Sequence, residues 1–150
     1  MFRKNNFLFA FSILVIVFPL LGNEPTVIEI TQSPCKFDQL EKDTSKYTTS
    51  KSQDCELINQ TSIKLRKNKF KTLKLTSGHY IFRVTNDGIP YEVGFYLRGT
   101  GLSWLTLPSV SGGDLMNGQT KEYKLYLEPG KYKISCPLNP TPDYDLIVEK

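Results

Sequence analysis

Two-residue alternation on either side of one tight turn, in the segment Glu122–Cys136 (EYKLYLEPGKYKISC), constrains this chain more than any other feature. Before the turn Tyr123, Leu125 and Leu127 share a face; after it Tyr132, Ile134 and Cys136 do, while Lys131, Lys133 and Ser135 point the other way. Apolar residues at every second position are what a strand needs when one face is buried and the other wet. Pro129 fixes its own φ and Gly130 can take a positive φ, so the four residues from Glu128 to Lys131 read as a turn. The segment predicts a β-hairpin with Cys136 directed inward.

Other strands follow the same pattern. Thr26–Gln32 alternates, and Leu73 and Leu75 share a face before a turn at Ser77-Gly78-His79. Tyr80, Phe82 and Val84 alternate with polar or smaller neighbours up to Asn86. After the loop Asn86-Asp87-Gly88-Ile89-Pro90, the set Tyr91, Val93, Phe95 and Leu97 does the same. Several short strands separated by turn signals, with hardly any helical period, predict an all-β sandwich or barrel. Residues 36–70 are polar and irregular, with a short helix from about Asp54 to Arg66. Residues 99–119, rich in glycine and serine, read as a long connection.

At the N-terminus Arg3 and Lys4 precede an apolar run from Phe7 to Leu21. That is the length of a signal-peptide core and short of the roughly 20 residues that span a bilayer comfortably. Residues 1–22 are therefore expected to be a signal peptide, with an uncleaved anchor the alternative because Leu20 is large for a cleavage box. The remaining 23–150 make one domain by size, in the periplasm or outside the cell. The chain has 19 basic and 15 acidic residues; without Arg3 and Lys4 it is close to neutral. A basic stretch, Lys64, Arg66, Lys67, Lys69 and Lys71, is a solvated face on the plain reading and a contact for anionic lipid on the functional one. Membrane contact is otherwise expected only through targeting, and nucleic acid is not an expected partner of an exported domain.

The segments SGHYIFRVTNDGIPYEVGFYL and LEPGKYKISCPLNPTPDYDLIV resemble a cupredoxin domain. They are most similar to the cupredoxin-like domain of EfeO-type periplasmic iron-uptake proteins and stand-alone exported bacterial relatives. The resemblance covers roughly Thr26–Cys35 and Phe70–Val148. It implies a Greek-key β-sandwich over 23–150, with 36–70 as an insertion. It does not imply a blue-copper site. Where the type-1 copper family places its first histidine this chain has Tyr91 and Glu92, and where a second histidine and a methionine follow the cysteine it has Pro137 to Tyr144. In the iron-uptake relatives the cysteine-bearing end carries a proposed metal site of two cysteines and acidic residues. The matching positions are Cys35, Cys136 and Glu92, and the metals they would take are copper or iron.

Ligand arithmetic agrees. A type-1 site needs two imidazoles and a thiolate, usually with a weak axial thioether, and the chain has one histidine, His79. Seven residues of strand separate His79 from Asn86, about 23 Å, so His79 falls at the end of the sandwich away from Cys136. Cys35, Cys55, Cys136 and the carboxylates Asp87, Glu92 and Asp143 gather at the other end. Nearby thiols in an oxidising compartment usually pair. Closing the 20-residue excursion through Cys35–Cys55 is worth about 3 kcal/mol; Cys35–Cys136 is the alternative, and three cysteines leave the pairing open.

No catalytic constellation stands out. Ser33-Pro34-Cys35-Lys36 spells S-x-x-K without its companion motifs, and the glycine clusters lack a strand–glycine–helix setting. Trp104, Tyr91 and Tyr144 are candidates for a partner surface, although Trp104 more often forms a lid over a sheet. The sequence thus describes an exported, non-enzymatic binding domain for an unidentified protein or small ligand. Metal handling through Cys136 is the alternative, and a redox-active thiol the third.

Overall fold

The computed structural model of the chain describes residues 24–150; the expected signal peptide lies outside the described residues. Nine strands and one helix form two facing sheets. In chain order they are β1 (Thr26–Ser33), β2 (Lys36–Phe37), α1 (Ser52–Arg66), β3 (Leu73–Thr76), β4 (Gly78–Asn86), β5 (Val93–Gly99), β6 (Val110–Leu115), β7 (Thr120–Leu127), β8 (Gly130–Ser135) and β9 (Tyr144–Glu149). One sheet has the order β2-β1-β4-β7 and the other β3-β9-β8-β5-β6. The pairs β1/β4 and β3/β9 are parallel and the remaining pairs antiparallel.

The inward faces are those the alternation predicts. Tyr80, Phe82 and Val84 from β4 meet Val93, Phe95 and Leu97 from β5, and Tyr132 and Ile134 from β8 close the layer. Phe95 is the aromatic centre, stacked on Phe82 at 5.4 Å and set against Tyr123 at 5.0 Å. Each such fully buried aliphatic or aromatic side chain contributes roughly 1.5–3 kcal/mol of transfer free energy.

Three expectations need correction. β7 and β8 are not a hairpin: β7 pairs with β4 in one sheet, and β8 with β5 and β9 in the other. The Glu128–Lys131 corner carries the chain across the core, braced by the Tyr132 hydroxyl donating to Glu128 O at 2.8 Å. Alternation records a buried face, and two strands folded across a core bury their faces against each other as well as a hairpin would. Next, the stretch 99–119 is not only a connection, since it contains β6. A glycine pair, Gly112-Gly113, interrupts its pattern, and a shift of register between Val93 and Phe95 lets β5 pass close; a Cβ on Gly94 would stand 2.3 Å from Gly112 O. Lastly, the helix in 36–70 starts at Ser52, with Asp54 reaching back to accept from Ser50 N at 2.8 Å and Lys51 N at 3.1 Å. Those bonds hold its carboxyl below the usual range.

Candidate functional site

β1 and β4 run in parallel and finish together at Gln32 and Asn86, while β5 leaves from that end and β8 arrives there. This places Gln32, Asn86, Gly94 and Cys136 around one corner, with Asn139 folded into it from the loop after β8. All five are buried.

Cys136 is the one free cysteine of the chain. Its sulfur accepts from Gly94 N and from Asn139 N, each at 3.3 Å. Burial pushes the thiol pKa up, and the amide N–H groups around the sulfur only partly offset that. The group is thus a neutral thiol at physiological pH. A low-pKa, accessible thiolate is what redox chemistry requires, and this site provides the opposite.

Asn139 is the hub. Its Oδ1 accepts from Cys35 N at 3.0 Å and from the Tyr91 hydroxyl at 3.3 Å, and lies 3.2 Å from Cys55 Sγ. Its Nδ2 donates to Gln32 Oε1 at 3.3 Å and Ser33 O at 3.2 Å. Gln32 in turn donates to Gly94 O. Side chains that would otherwise face a bound group here are consumed by one another, as buried polar groups must be.

Cys35 is joined to Cys55 across 20 residues, with the Cα atoms 5.0 Å apart. Cys35 also sits at φ 69°, a left-handed conformation uncommon for a residue with a Cβ. The bridge pins α1 over the corner. Arg66, at the other end of the helix, makes a bidentate pair with the buried Glu41 at 2.6 and 2.9 Å and donates to Asn59 Oδ1 at 2.6 Å and Cys35 O at 3.3 Å. The Tyr144 hydroxyl donates to the same carboxylate at 2.8 Å; burial, with Glu41 beside it, drives its pKa upward. Arg66 is therefore not part of an exposed basic patch. Lys69 is bound to Asp43 at 2.6 Å, which leaves Lys64, Lys67 and Lys71 facing solvent.

The expected metal residues are not brought together. Cys35 Sγ is bonded to Cys55, and Glu92 is exposed, accepting from Asp114 N at 2.8 Å. Among the described residues no group of three or more histidine, cysteine, aspartate or glutamate side chains is placed to hold a metal ion. For a type-1 copper site the fit fails on donor chemistry. The groups nearest Cys136 are amides, and His79 stacks edge-on against Tyr126 at 4.9 Å near the start of β4. Of the expected partner surface, Tyr144 is buried and Tyr91 half-buried in the Asn139 network, so neither is free. Trp104 is exposed.

Outside the corner a recess of about 580 Å³ opens between the insertion and the sandwich rim. Its walls include Ser33, Lys36, Asp38, Asp43, Tyr47 and Asp87. Lys36, itself buried, donates to Asp43 O at 2.7 Å and lies 3.5 Å from Asp38. Sequence reading missed Gln32, Asn139 and the Glu41–Arg66 pair. An asparagine set between prolines three residues after an inward cysteine was the available signal for Asn139. Nothing in the local pattern marked Arg66 among its lysine neighbours.

No family model matches the chain, and no curated protein matches it in sequence. Solved structures match in shape. Auracyanin B superposes with a TM-score of 0.52 at 12% identity, over 87% of this chain and 94% of that one. Auracyanin A, a "blue" copper protein from the green thermophilic photosynthetic bacterium Chloroflexus aurantiacus, gives 0.48 at 14% identity over 84% and 100%. A reduced amicyanin variant gives 0.45 at 12% over 87% of each chain. Likeness at such identities concerns the fold alone: the domain has a cupredoxin-like fold with a helical insert.

Proposed function

We propose that this chain is an exported, non-enzymatic binding module that uses a cupredoxin-like sandwich as a scaffold and takes a polar small ligand or protein segment at its cysteine-bearing end. The observation that carries this reading is the recess beside Cys35, walled by both charge signs and backed by the insertion. The corner next to it is closed by internal hydrogen bonds, so it serves as the rigid backing of the recess. Export is supported by the Arg3-Lys4 start followed by the Phe7–Leu21 run, and by a disulfide, which persists in oxidising compartments.

Metal handling, as in the EfeO-type domains the sequence resembles, is the second reading. The observation favouring it is that Cys136 remains outside any disulfide, next in the chain to Pro137, which lines a groove with Tyr91, Glu92 and Leu138. One experiment separates the two. The chain is expressed in full into an oxidising compartment, titrated with Cu(I), Cu(II) and Fe(III), desalted, and assayed for metal. A photo-crosslinking residue at Tyr47 is compared with one at Lys124, on the outer face of β7. Substoichiometric metal together with a discrete adduct at Tyr47 alone is expected. Stoichiometric metal that is lost in Cys136→Ser overturns the binding reading in favour of the metal.

A further inference from the structure

The outer face of the five-stranded sheet carries a recess that shares no wall with the one beside Cys35. The alternation that sends Phe95, Leu97 and Ile134 into the core leaves Tyr96, Arg98 and Lys133 on this face. The chain's one tryptophan, Trp104, completes the wall. It stands on a short 3-10 turn, Gly101–Leu105, at the end of β5 away from the cysteines. Gly99 lets the turn fold back onto the strand, since a Cβ there would stand 2.6 Å from Ser103 O. Leu107 N secures it by donating to Ser103 O at 2.8 Å. Trp104 is 61% exposed, so it borders the recess without being needed to hold the turn. Leu102 and Leu105 are exposed at the tip of the turn and line no part of the recess.

The polar groups of the recess are already fixed in place. The Arg98 guanidinium lies over the Tyr96 ring at 4.7 Å. Its Nη1 donates to Ser135 Oγ, and its Nη2 to both carboxylate oxygens of Asp143, all at 2.9 Å. Lys133 Nζ donates to Asp145 Oδ1 at 2.8 Å. Each cation thus has its own carboxylate, and the site selects neither an anion nor a cation. Hydrogen-bonding capacity, unlike charge, is left over. Lys133 has three N–H groups for one partner, and Asp143 keeps lone pairs beyond those that Arg98 takes. The recess offers a flat aromatic ring, free donors and free acceptors in about 410 Å³, a size usual for small-molecule sites.

We propose that this face binds a neutral saccharide, with a sugar ring laid on Trp104 and its hydroxyls bonded to Arg98, Lys133 and Asp143. A pyranose is uncharged, its hydroxyls both donate and accept, and its axial C–H groups form flat apolar faces that suit an indole. Other ligands meet fewer of these terms. A phosphate needs cations that are not already paired. A proline-rich segment brings carbonyl acceptors but few N–H donors, so Asp143 would go unserved. A peptide strand cannot add itself here, because β5 is paired with β6 on one side and β8 on the other. Among sugars, β-linked glucose and N-acetylglucosamine have the flattest faces, since all their ring substituents are equatorial. Groups held in place before binding reduce the ordering cost of capture.

A single tryptophan makes the test direct, since its emission reports one site. The chain is expressed in full and titrated with cellotriose, chitotriose, inorganic phosphate and decaproline, by emission and by calorimetry. At least one of the two sugars is expected to change the emission saturably, with a Kd on the order of 1 mM that high salt leaves unchanged. By calorimetry Trp104→Ala should bind that sugar at least about tenfold less, and Trp104→Phe should recover part of the loss. Asp143→Ala should also bind about tenfold less. Both variants should melt as the parent does, because residue 104 is exposed and exposed ion pairs add little stability. Four results overturn the proposal. Neither sugar binds, or Trp104→Ala binds as the parent does. A sugar gives heat without altering the emission, which would place it elsewhere on the domain. Phosphate or decaproline changes the emission where the sugars do not, which would make the recess an anion site or a peptide groove.

Discussion

At the scale of single residues, Cys136 shows how a side chain can be indispensable without being reactive. Its sulfur is the acceptor for two buried amides, from Gly94 and Asn139. Cys136→Ala removes that acceptor and strands two donors at about 1–3 kcal/mol each. Cys136→Ser keeps an acceptor and should lose roughly 1 kcal/mol. Urea unfolding is expected to rank them parent, serine, alanine; alanine at or above serine would refute the role. The inward direction of Cys136 was plain in the sequence, because two-residue spacing fixes which face a strand residue occupies. Its partners were not plain, since they come from three separate segments and meet only through the packing of two sheets. Asp43 supplies a pH signature. Lys69 holds its carboxyl down to about 2, below the ordinary 3.8. A carboxyl depressed in the folded state stabilises above its ordinary pKa, and that contribution is lost as pH falls through the folded value. The parent should therefore lose stability between about pH 5 and 2, and Asp43→Asn should flatten this part of the curve. An unchanged slope in thermal melts across that range would refute the assignment.

At the scale of elements, α1 is bound to the sandwich by its polar side. Cys55, Asn59, Ser62 and Arg66 face inward, while Leu57 and Leu65 are exposed. Such a helix gains little from apolar burial, which usually supplies most helix stability in proteins, so the disulfide and the Glu41 pair must hold it. Cys35→Ser/Cys55→Ser is expected to lose about 3 kcal/mol and to expose the amides of α1 to hydrogen exchange, with β4 and β5 still protected. Retained protection in α1 would show that the ion pair suffices. The inverted amphipathicity also explains why the helix was hard to read beforehand: its apolar residues do not mark its packed face. The strands were legible because theirs do. β6 was the exception, where glycines permit close approach of backbones and leave no side-chain pattern to follow.

At the scale of the whole molecule, the fold class was readable because one inward face per strand is enough to demand two facing sheets. Which strand belongs to which sheet was not, because β7-to-β8 and β3-to-β4 both cross the core at turns that look like hairpins. The assembled sandwich has two unlike ends: one stapled, buried and polar behind a recess, the other tipped by apolar side chains. It also has unsealed sides. β7 is the outer strand of its sheet, eight residues long, with backbone groups open to any passing strand. Glu122 and Lys124 stand on its outer face, and Lys121, on the core-facing side, extends its ammonium to Gly113 O on β6 at 2.8 Å. A second chain adding itself there would have to bury that lysine and strip water from its neighbours. The longest exposed edge is thereby guarded against sticky association, so copies of the sandwich that meet side to side part again rather than join their sheets.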